Sequence, residues 1–143
     1  MHTLYISLGS NLGNRREMID RALTLIDERV GSVYLVSSYI ETEPWGFESP
    51  HPFINAAACI HTMLSPRRCL EETQQIEREL GRTQKSLDGH YHDRPIDIDL
   101  LIYDDLHIDE EYTIQGHTHR LTLPHPHMHE RDFVMIPLRE VMA

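Results

Sequence analysis

One segment constrains the fold of this chain more than any other: Arg94-Pro95-Ile96-Asp97-Ile98-Asp99-Leu100-Leu101-Ile102. Successive side chains of a β-strand point to opposite faces, so Asp97 and Asp99 would share one face of a strand. The apolar residues that alternate with them would line the other face: Ile96, Ile98, Leu100 and Ile102. Aspartate is a poor strand former, and two adjacent carboxylates repel each other. The pair therefore indicates either a magnesium site, which favours one or two carboxylates with phosphate oxygens, or a solvent-exposed edge where paired acids are harmless.

Three cationic residues precede the acid pair in the sequence. Arg82 and Lys85 fall in a polar, glycine-containing segment that we predict to be a loop, 82–93, and Arg94 is three residues before Asp97. Cations close to paired carboxylates are typical of a site where a polyphosphate lies between them, as in phosphoryl transfer. Ordinary salt bridges are the alternative and need no ligand.

The hydrophobic pattern predicts an α+β fold with a ferredoxin-like βαββαβ core, an antiparallel sheet with helices packed on it. A helix start is indicated by Asn14 with Glu17 three residues later, and a second by Ser65 followed by Pro66. Strands are predicted at 4–8, 33–42, 53–62 and 96–103, helices at 14–30 and 65–80, and a short strand and helix at 120–123 and 132–141. The segment 43–52 holds three prolines and is predicted to be a loop. No linker or repeat divides the chain, so residues 1–143 are expected to form one domain.

Composition excludes some partners and favours others. The formal charge of −10 argues against nucleic acid, which would require a basic face. It does not argue against a small anion, which needs only a local group of cations. The cations are twelve arginines and one lysine, and arginine suits forked contacts to phosphate. Because the sequence shows no signal-peptide pattern and no long apolar run, we expect a cytoplasmic protein without a membrane partner. We also expect it to be a monomer.

Two further groups of residues have side chains typical of binding sites. Three alternating histidines, His125, His127 and His129, lack the i, i+4 helical spacing and cysteine neighbours of zinc sites, so zinc is disfavoured. The aromatic and amide residues of two neighbouring segments would suit a flat heterocycle, with rings stacking on it and an amide reading its edge: Trp45, Phe47, Phe53 and Asn55. Taken alone, these four are more simply read as core and strand-end residues.

Taken together, these motifs resemble one family, the hydroxymethyl-dihydropterin pyrophosphokinases of folate biosynthesis. The resemblance extends from Tyr5 to about Glu140, and its motifs occur in the family's order. They are Gly9-Ser10-Asn11-Leu12, Thr42 with Trp45-Gly46, Phe53-Ile54-Asn55-Ala56-Ala57, Gln74-Gln75-Ile76-Glu77, Gly81-Arg82, Arg94-Pro95-Ile96-Asp97-Ile98-Asp99, and Pro124-His125 with Arg131-Asp132-Phe133.

The resemblance implies that pyrophosphate passes from ATP to the hydroxymethyl group of a reduced pterin, with release of AMP. Asp97 and Asp99 would hold two magnesium ions, and the catalytic group would comprise Arg82, Arg94, Asp97 and Asp99. The pterin would contact Thr42, Glu43, Trp45, Phe53, Asn55 and Phe133. ATP would contact Gln74, Glu77, Arg82, Lys85, Arg94, Ile98, Arg120, Thr122, His125 and Arg131.

The chain departs from the family pattern in the 82–93 segment. Gln84 stands where many members have an arginine, a change for which Lys85 would compensate, and Tyr91 stands where others have a tryptophan. These departures keep open a different class of protein, a nucleotide- or pterin-binding module without catalytic activity. Retention of both Asp97 and Asp99, together with Arg82 and Arg94, argues against that class. A metal-dependent hydrolase acting at the same acids is a third hypothesis, but the sequence offers it no obvious general base.

Overall fold

The computed structural model describes residues 1–43, 51–81 and 95–142. In chain order, these residues form β1 (His2–Ser10), α1 (Arg15–Arg29), β2 (Gly31–Val36), β3 (Ile40–Thr42), β4 (Phe53–Thr62), α2 (Pro66–Glu79), β5 (Asp97–Tyr103), β6 (Ile108–Ile114), β7 (His117–Leu123), a 3-10 turn (Met128–Glu130) and α3 (Asp132–Met142).

The main sheet has five strands in the order β2-β4-β1-β5, with β3 pairing alongside β4 beyond the end of β2. Every strand pair in it is antiparallel. This order, with α1 and α2 connecting the strands, is the ferredoxin-like arrangement, so the predicted fold class is confirmed.

Alternation along the central strands gives the sheet two buried faces. Residues such as Leu4 and Ile6 of β1 face α1 and α2 and belong to the larger apolar cluster. Their neighbours in the strands face α3, where Ala57, Cys59 and Leu101 pack against Val134, Leu138 and Val141. The face opposite α1 and α2 is thus covered by α3.

The predicted helix starts are confirmed. The Asn14 side chain accepts a hydrogen bond from the backbone N–H of Glu17, and Ser65 accepts one from the N–H of Arg68. These caps satisfy N–H groups that a helix leaves without internal partners in its first turn.

The structure corrects three expectations. The strand predicted at 33–42 is divided into β2 and β3, because Ser37 Oγ accepts from Ala57 N where a strand would continue the ladder. Residues 108–114 form a strand that the sequence did not indicate, since Asp109-Glu110-Glu111 is unfavourable for strands. Finally, Ile102 packs on the α3 side and not with Ile98, because Leu101 is an unpaired extra residue in β5 that shifts the alternation.

None of the helices in the described ranges is both long enough and apolar enough to cross a membrane.

Candidate active site

A cavity of about 450 Å³ opens where β1 ends and β4 and β5 begin. One part of its lining lies near the start of α3 and comprises Gly9, Thr42, Glu43, Phe53, Asn55 and Phe133. The other part comes from α2 and the β6–β7 hairpin and includes Leu70, Gln74, His119, Arg120 and Thr122. Strand β5 contributes Asp97, Ile98 and Asp99 to the same cavity. The fold therefore brings together residues that the family resemblance assigned to two different ligands.

The two aspartates lie on one face of β5, as the alternation predicted. Asp97 pairs with Gly9 and Asp99 with Ser7 of β1, and both carboxylates are half-buried in the cavity wall. Ile98, between them, points into the larger core and is 4% exposed. Among residues 1–43, 51–81 and 95–142, no three histidine, cysteine or acidic side chains are grouped as a complete metal site.

Asn55 is held in a fixed orientation at the bottom of the first part. It is 3% exposed, and its Nδ2 donates to Thr42 Oγ1 at 2.5 Å. A Cβ atom added to Gly9 would lie 2.9 Å from Asn55 Oδ1 and 3.4 Å from Phe53 Cδ1. The missing side chain at Gly9 thus makes room for both groups.

His125 is a neutral hydrogen-bonding group in the cavity wall. Burial, reinforced by the charges of Arg131 and His127, lowers the pKa of His125 to about 4. Its Nδ1 accepts from the backbone N–H of His127 at 3.2 Å, and its own backbone N–H donates to Leu101 O at 2.8 Å. Because Nδ1 is the acceptor in the neutral ring, the proton lies on Nε2, which is a donor for a ligand oxygen.

Arg120 is held by acidic residues of the neighbouring strand. Its Nε and Nη2 each donate to one oxygen of Asp109 at 2.7 Å, and Nη1 donates to Glu111 Oε1 at 3.3 Å. Thr122 Oγ1 also donates to Asp109, at 3.0 Å. Hydrogen bonds from Arg120 and then Thr122 lower the pKa of Asp109, which stays ionised as the partner of both.

Gln74 and Glu77 of α2 have different positions. Gln74 lines the cavity, but Glu77 lies outside the lining and is 2% exposed. Glu77 Oε2 accepts the backbone N–H of Ile98 at 2.6 Å. Glu77 therefore holds the strand that carries the aspartates. The family resemblance implied a direct contact of Glu77 with ATP, but Glu77 does not line the cavity.

Comparison with known proteins identifies the family. The chain matches the model of the 7,8-dihydro-6-hydroxymethylpterin-pyrophosphokinase (HPPK) family over residues 5–143. It belongs to the HPPK family. A relative from Porphyromonas gingivalis, named 2-amino-4-hydroxy-6-hydroxymethyldihydropteridine pyrophosphokinase, is 50% identical over 141 residues, which cover 99% of this chain and 91% of the relative. A Bacillus subtilis protein of the same name is 41% identical over 138 residues, covering 96% of this chain and 76% of the relative.

Solved structures of HPPK-containing proteins have the same fold. A structure described as HPPK-DHPS in complex with substrates aligns with a TM-score of 0.77 at 13% identity. It matches 99% of this chain, which spans 40% of that longer chain. A Plasmodium falciparum HPPK-DHPS aligns with a TM-score of 0.76 at 14% identity over 94% of this chain and 38% of its own.

Most of the expected HPPK ligand residues among the described ranges line the cavity. They are Thr42, Glu43, Phe53, Asn55, Gln74, Asp97, Ile98, Asp99, Arg120, Thr122, His125, Arg131 and Phe133. Four expected residues, Trp45, Arg82, Lys85 and Arg94, lie outside the described residues, as do most of the predicted 43–52 loop and the 82–93 loop.

Several lining residues were not anticipated from the sequence of this HPPK member. Ser7, Gly9 and His119 are among them. Period-two alternation along β1 places Ser7 and Gly9 on one strand face, but only the pairing with β5 shows that this is also the face of the aspartates. His119 had no signal, because its strand is longer than the predicted 120–123.

Proposed function

We propose that this chain transfers the pyrophosphoryl group of ATP to the hydroxymethyl group of 6-hydroxymethyl-7,8-dihydropterin, giving the pterin diphosphate and AMP in folate biosynthesis. The observation that carries this proposal is the position of Asp97 and Asp99. They line a cavity with an amide and aromatic side chains in one part and arginine, threonine and histidine side chains in the other. The amide and aromatic side chains suit a flat pterin, and the arginine, threonine and histidine side chains suit a triphosphate.

The pterin is assigned to the part around Asn55. Phe53 and Phe133 supply aromatic faces, and Asn55 supplies the edge-reading amide, whose Nδ2 is already engaged by Thr42. Its Oδ1, above Gly9, is then the acceptor for an N–H of the pterin ring. We also assign to the pterin the backbone groups around Thr42, Glu43 and Trp45.

ATP is assigned to the part formed by α2, β5 and the hairpin. It is lined by Gln74, Ile98, Arg120, Thr122, His125 and Arg131. Glu77 accepts the backbone N–H of Ile98 and so supports its position. Arg82, Lys85 and Arg94 are assigned to the phosphates because of their sequence positions. The neutral His125 donates from Nε2 without adding a charge, while the arginines stabilise the charge that develops on phosphate oxygens.

Asp97 and Asp99 are assigned to Mg²⁺, and two ions are expected. The fit rests on their donors: hard carboxylate oxygens on one strand face, half-buried and open to the cavity. Bound Mg²⁺ would neutralise charge on the transferring phosphate groups. In this proposal the pterin hydroxyl loses its proton and attacks the β-phosphorus, and the bond from the β-phosphorus to the bridging oxygen breaks to release AMP. The protein's own residues act by positioning the two substrates, so no covalent enzyme intermediate is required. The net charge of −10 further supports small-molecule substrates and not nucleic acid. A cytoplasmic location and a monomeric state remain part of the proposal.

The deciding experiment measures AMP. Protein, MgATP and the reduced pterin are mixed, and AMP and pterin diphosphate are quantified together, with each substrate omitted in turn. Equal amounts of the two products, both dependent on the pterin, are expected. Binding of both ligands without AMP would instead identify a catalytically silent binding module. AMP formed without pterin would identify a hydrolase.

A further inference from the structure

One face of the β6–β7 hairpin carries a small polar network that ends in the cavity. Asp109 is paired with Thr122 and Glu111 with Arg120 in the antiparallel register, so these four side chains share one face. Arg120 and Thr122 line the cavity, whereas Asp109 and Glu111 do not. Among the described residues, Arg120 and Thr122 therefore connect the two acids to the cavity.

The two acids hold different edges of the Arg120 guanidinium. Asp109 takes the Nε and Nη2 edge with two bonds of 2.7 Å, a forked geometry that fixes the plane of the group. Glu111 reaches only Nη1, with one bond of 3.3 Å. A guanidinium has five N–H donors, so the Nη1 and Nη2 edge remains able to bind a second anion while Asp109 stays in place.

We propose that Asp109 is a positioning residue for the nucleotide, which holds Arg120 and Thr122 in the orientation that ATP requires, and that Glu111 occupies the edge of Arg120 which ATP takes over. This inference rests on the proposed function and on the assignment of Arg120 and Thr122 to ATP. Asp109 and Glu111 thus have opposite effects on the same arginine, one preparing it for the ligand and the other competing with the ligand.

Three substitutions that each remove one negative charge from β6 test this inference. Asp109→Asn weakens the forked bond to Arg120, Glu111→Gln removes the competing carboxylate, and Glu110→Gln is the matched control. Glu110 bonds to the Tyr112 hydroxyl and has no contact with Arg120 among the described interactions. All three side chains are exposed, so the variants are expected to fold; circular dichroism and melting temperature verify this.

The expected result is a difference in sign. In steady-state kinetics with MgATP, Asp109→Asn raises the KM for ATP about three- to five-fold, the range of an exposed ion pair, and leaves the KM for pterin unchanged. Glu111→Gln lowers the KM for ATP, and Glu110→Gln changes neither KM. An unchanged or raised KM for ATP in Glu111→Gln overturns the competing role of Glu111. Asp109→Glu, which keeps the carboxylate, restores part of the loss.

A double-mutant cycle separates this role from a general effect of charge. In the Arg120→Ala background, Asp109→Asn is expected to raise the KM for ATP less than in the wild type, because one of its two partners is absent. An unchanged KM for ATP in Asp109→Asn overturns the inference, as does an equal rise in all three single variants. Wild-type protein that forms no AMP is a different result, because it contradicts the proposed function itself.

Discussion

Gly9 and Asn55 show how closely the backbone of one strand approaches a side chain of the next. They are register partners in β1 and β4, and the Asn55 amide lies over the position where any other residue at 9 would place its Cβ. Glycine is needed here for space, since the first atom of a side chain would meet Asn55 Oδ1 at 2.9 Å.

Gly9→Ala is expected to weaken pterin binding roughly ten-fold or more and ATP binding far less, because displacement of Asn55 leaves a hydrogen bond of the pterin unmade. Calorimetric titration with each ligand measures both effects. Ser10→Ala is the control: Ser10 is the next residue, fully buried, and its Oγ has no hydrogen-bond partner among the residues that the structure describes. Equal losses for pterin and ATP in Gly9→Ala would show that the pterin is placed wrongly.

Asp97→Ala and Asp99→Ala are each expected to abolish nearly all turnover without unfolding the protein, because each removes a carboxylate assigned to magnesium. The measurement is AMP formation across a magnesium titration, with chelator added to the wild type for comparison. Asp105→Ala, at an exposed acid just after β5, is the charge-matched control. Normal turnover of either folded aspartate variant at ordinary magnesium concentration would contradict the assignment.

His125 gives the protein a predictable response to acid. The pKa of His125 is about 4 in the folded protein and near 6.5 for an ordinary histidine, so between these values the unfolded chain binds a proton that the folded chain does not. This contribution to stability is therefore full above pH 6.5 and declines as the pH falls towards 4. The melting temperature of His125→Gln should lack this decline. Parallel curves for the two proteins would show that His125 is not held neutral.

At this scale, the sequence predicts what depends on neighbouring residues in the chain. The shared face of Asp97 and Asp99 follows from strand alternation alone, and the structure confirms it. The contact of Gly9 with Asn55 and the network of Asp109 with Arg120 depend on strand register. Register pairs one strand with another, so the alternation within a single strand does not predict it.

Strand β5 is attached to the fold on both sides. It pairs with β1, and the buried carboxylate of Glu77 on α2 accepts the N–H of Ile98, between the two aspartates. A buried carboxylate that binds a backbone N–H stabilises the structure only as long as both groups remain paired.

Glu77→Ala is expected to lower the free energy of unfolding by about 1–3 kcal/mol, because it leaves the buried Ile98 N–H without this partner. Glu77→Gln, which keeps an acceptor oxygen, should lose less. Denaturant unfolding provides the measurement, and Glu79→Ala on the same helix is the control. Glu79 is exposed and bound to Arg29 at the surface, so a smaller change is expected. An effect of Glu79→Ala as large as that of Glu77→Ala would rule out a special role for the buried carboxylate.

Helices with clear caps and strands with clear alternation were predictable as elements. β4 has the predicted bounds, Phe53–Thr62, and α1 begins one residue after its predicted cap. The division between β2 and β3 was not predictable, because the Ser37 hydroxyl replaces a backbone partner. β6 was not predicted, because three consecutive acidic residues are unfavourable for a strand. In the structure, Arg120 of the partner strand binds the carboxylate of Asp109.

At the scale of the whole molecule, the residues that the structure describes form two apolar clusters, and both depend on the same central strands. β1 contributes Leu4, Ile6 and Leu8 to one cluster and the partly buried Tyr5 to the other. β4 alternates in the same way, with Ala56 and Ala58 on one side and Ala57 and Cys59 on the other. Neither cluster can therefore be lost without disrupting the strands that support the other.

Unfolding in denaturant is expected to follow a single cooperative transition, as this sharing of strands requires. Far-ultraviolet circular dichroism, which reports the backbone, and near-ultraviolet dichroism of the tyrosines in both clusters should give the same midpoint. An early separate step in the tyrosine signal would instead indicate that α3 detaches before the rest, and that the two faces of the sheet are independent.

The β6–β7 hairpin has a consequence for inhibitor design. Within the described ranges, its strands pair only with each other, yet they form a wall of the cavity. A mutation there can change the hydrogen bonds offered to a drug without breaking a ladder of the main sheet. The surface around Asn55 is built on β1 and β4, where few replacements are tolerated because the same strands support both apolar clusters. Resistance should therefore arise readily against compounds anchored on the hairpin and slowly against compounds anchored on Asn55.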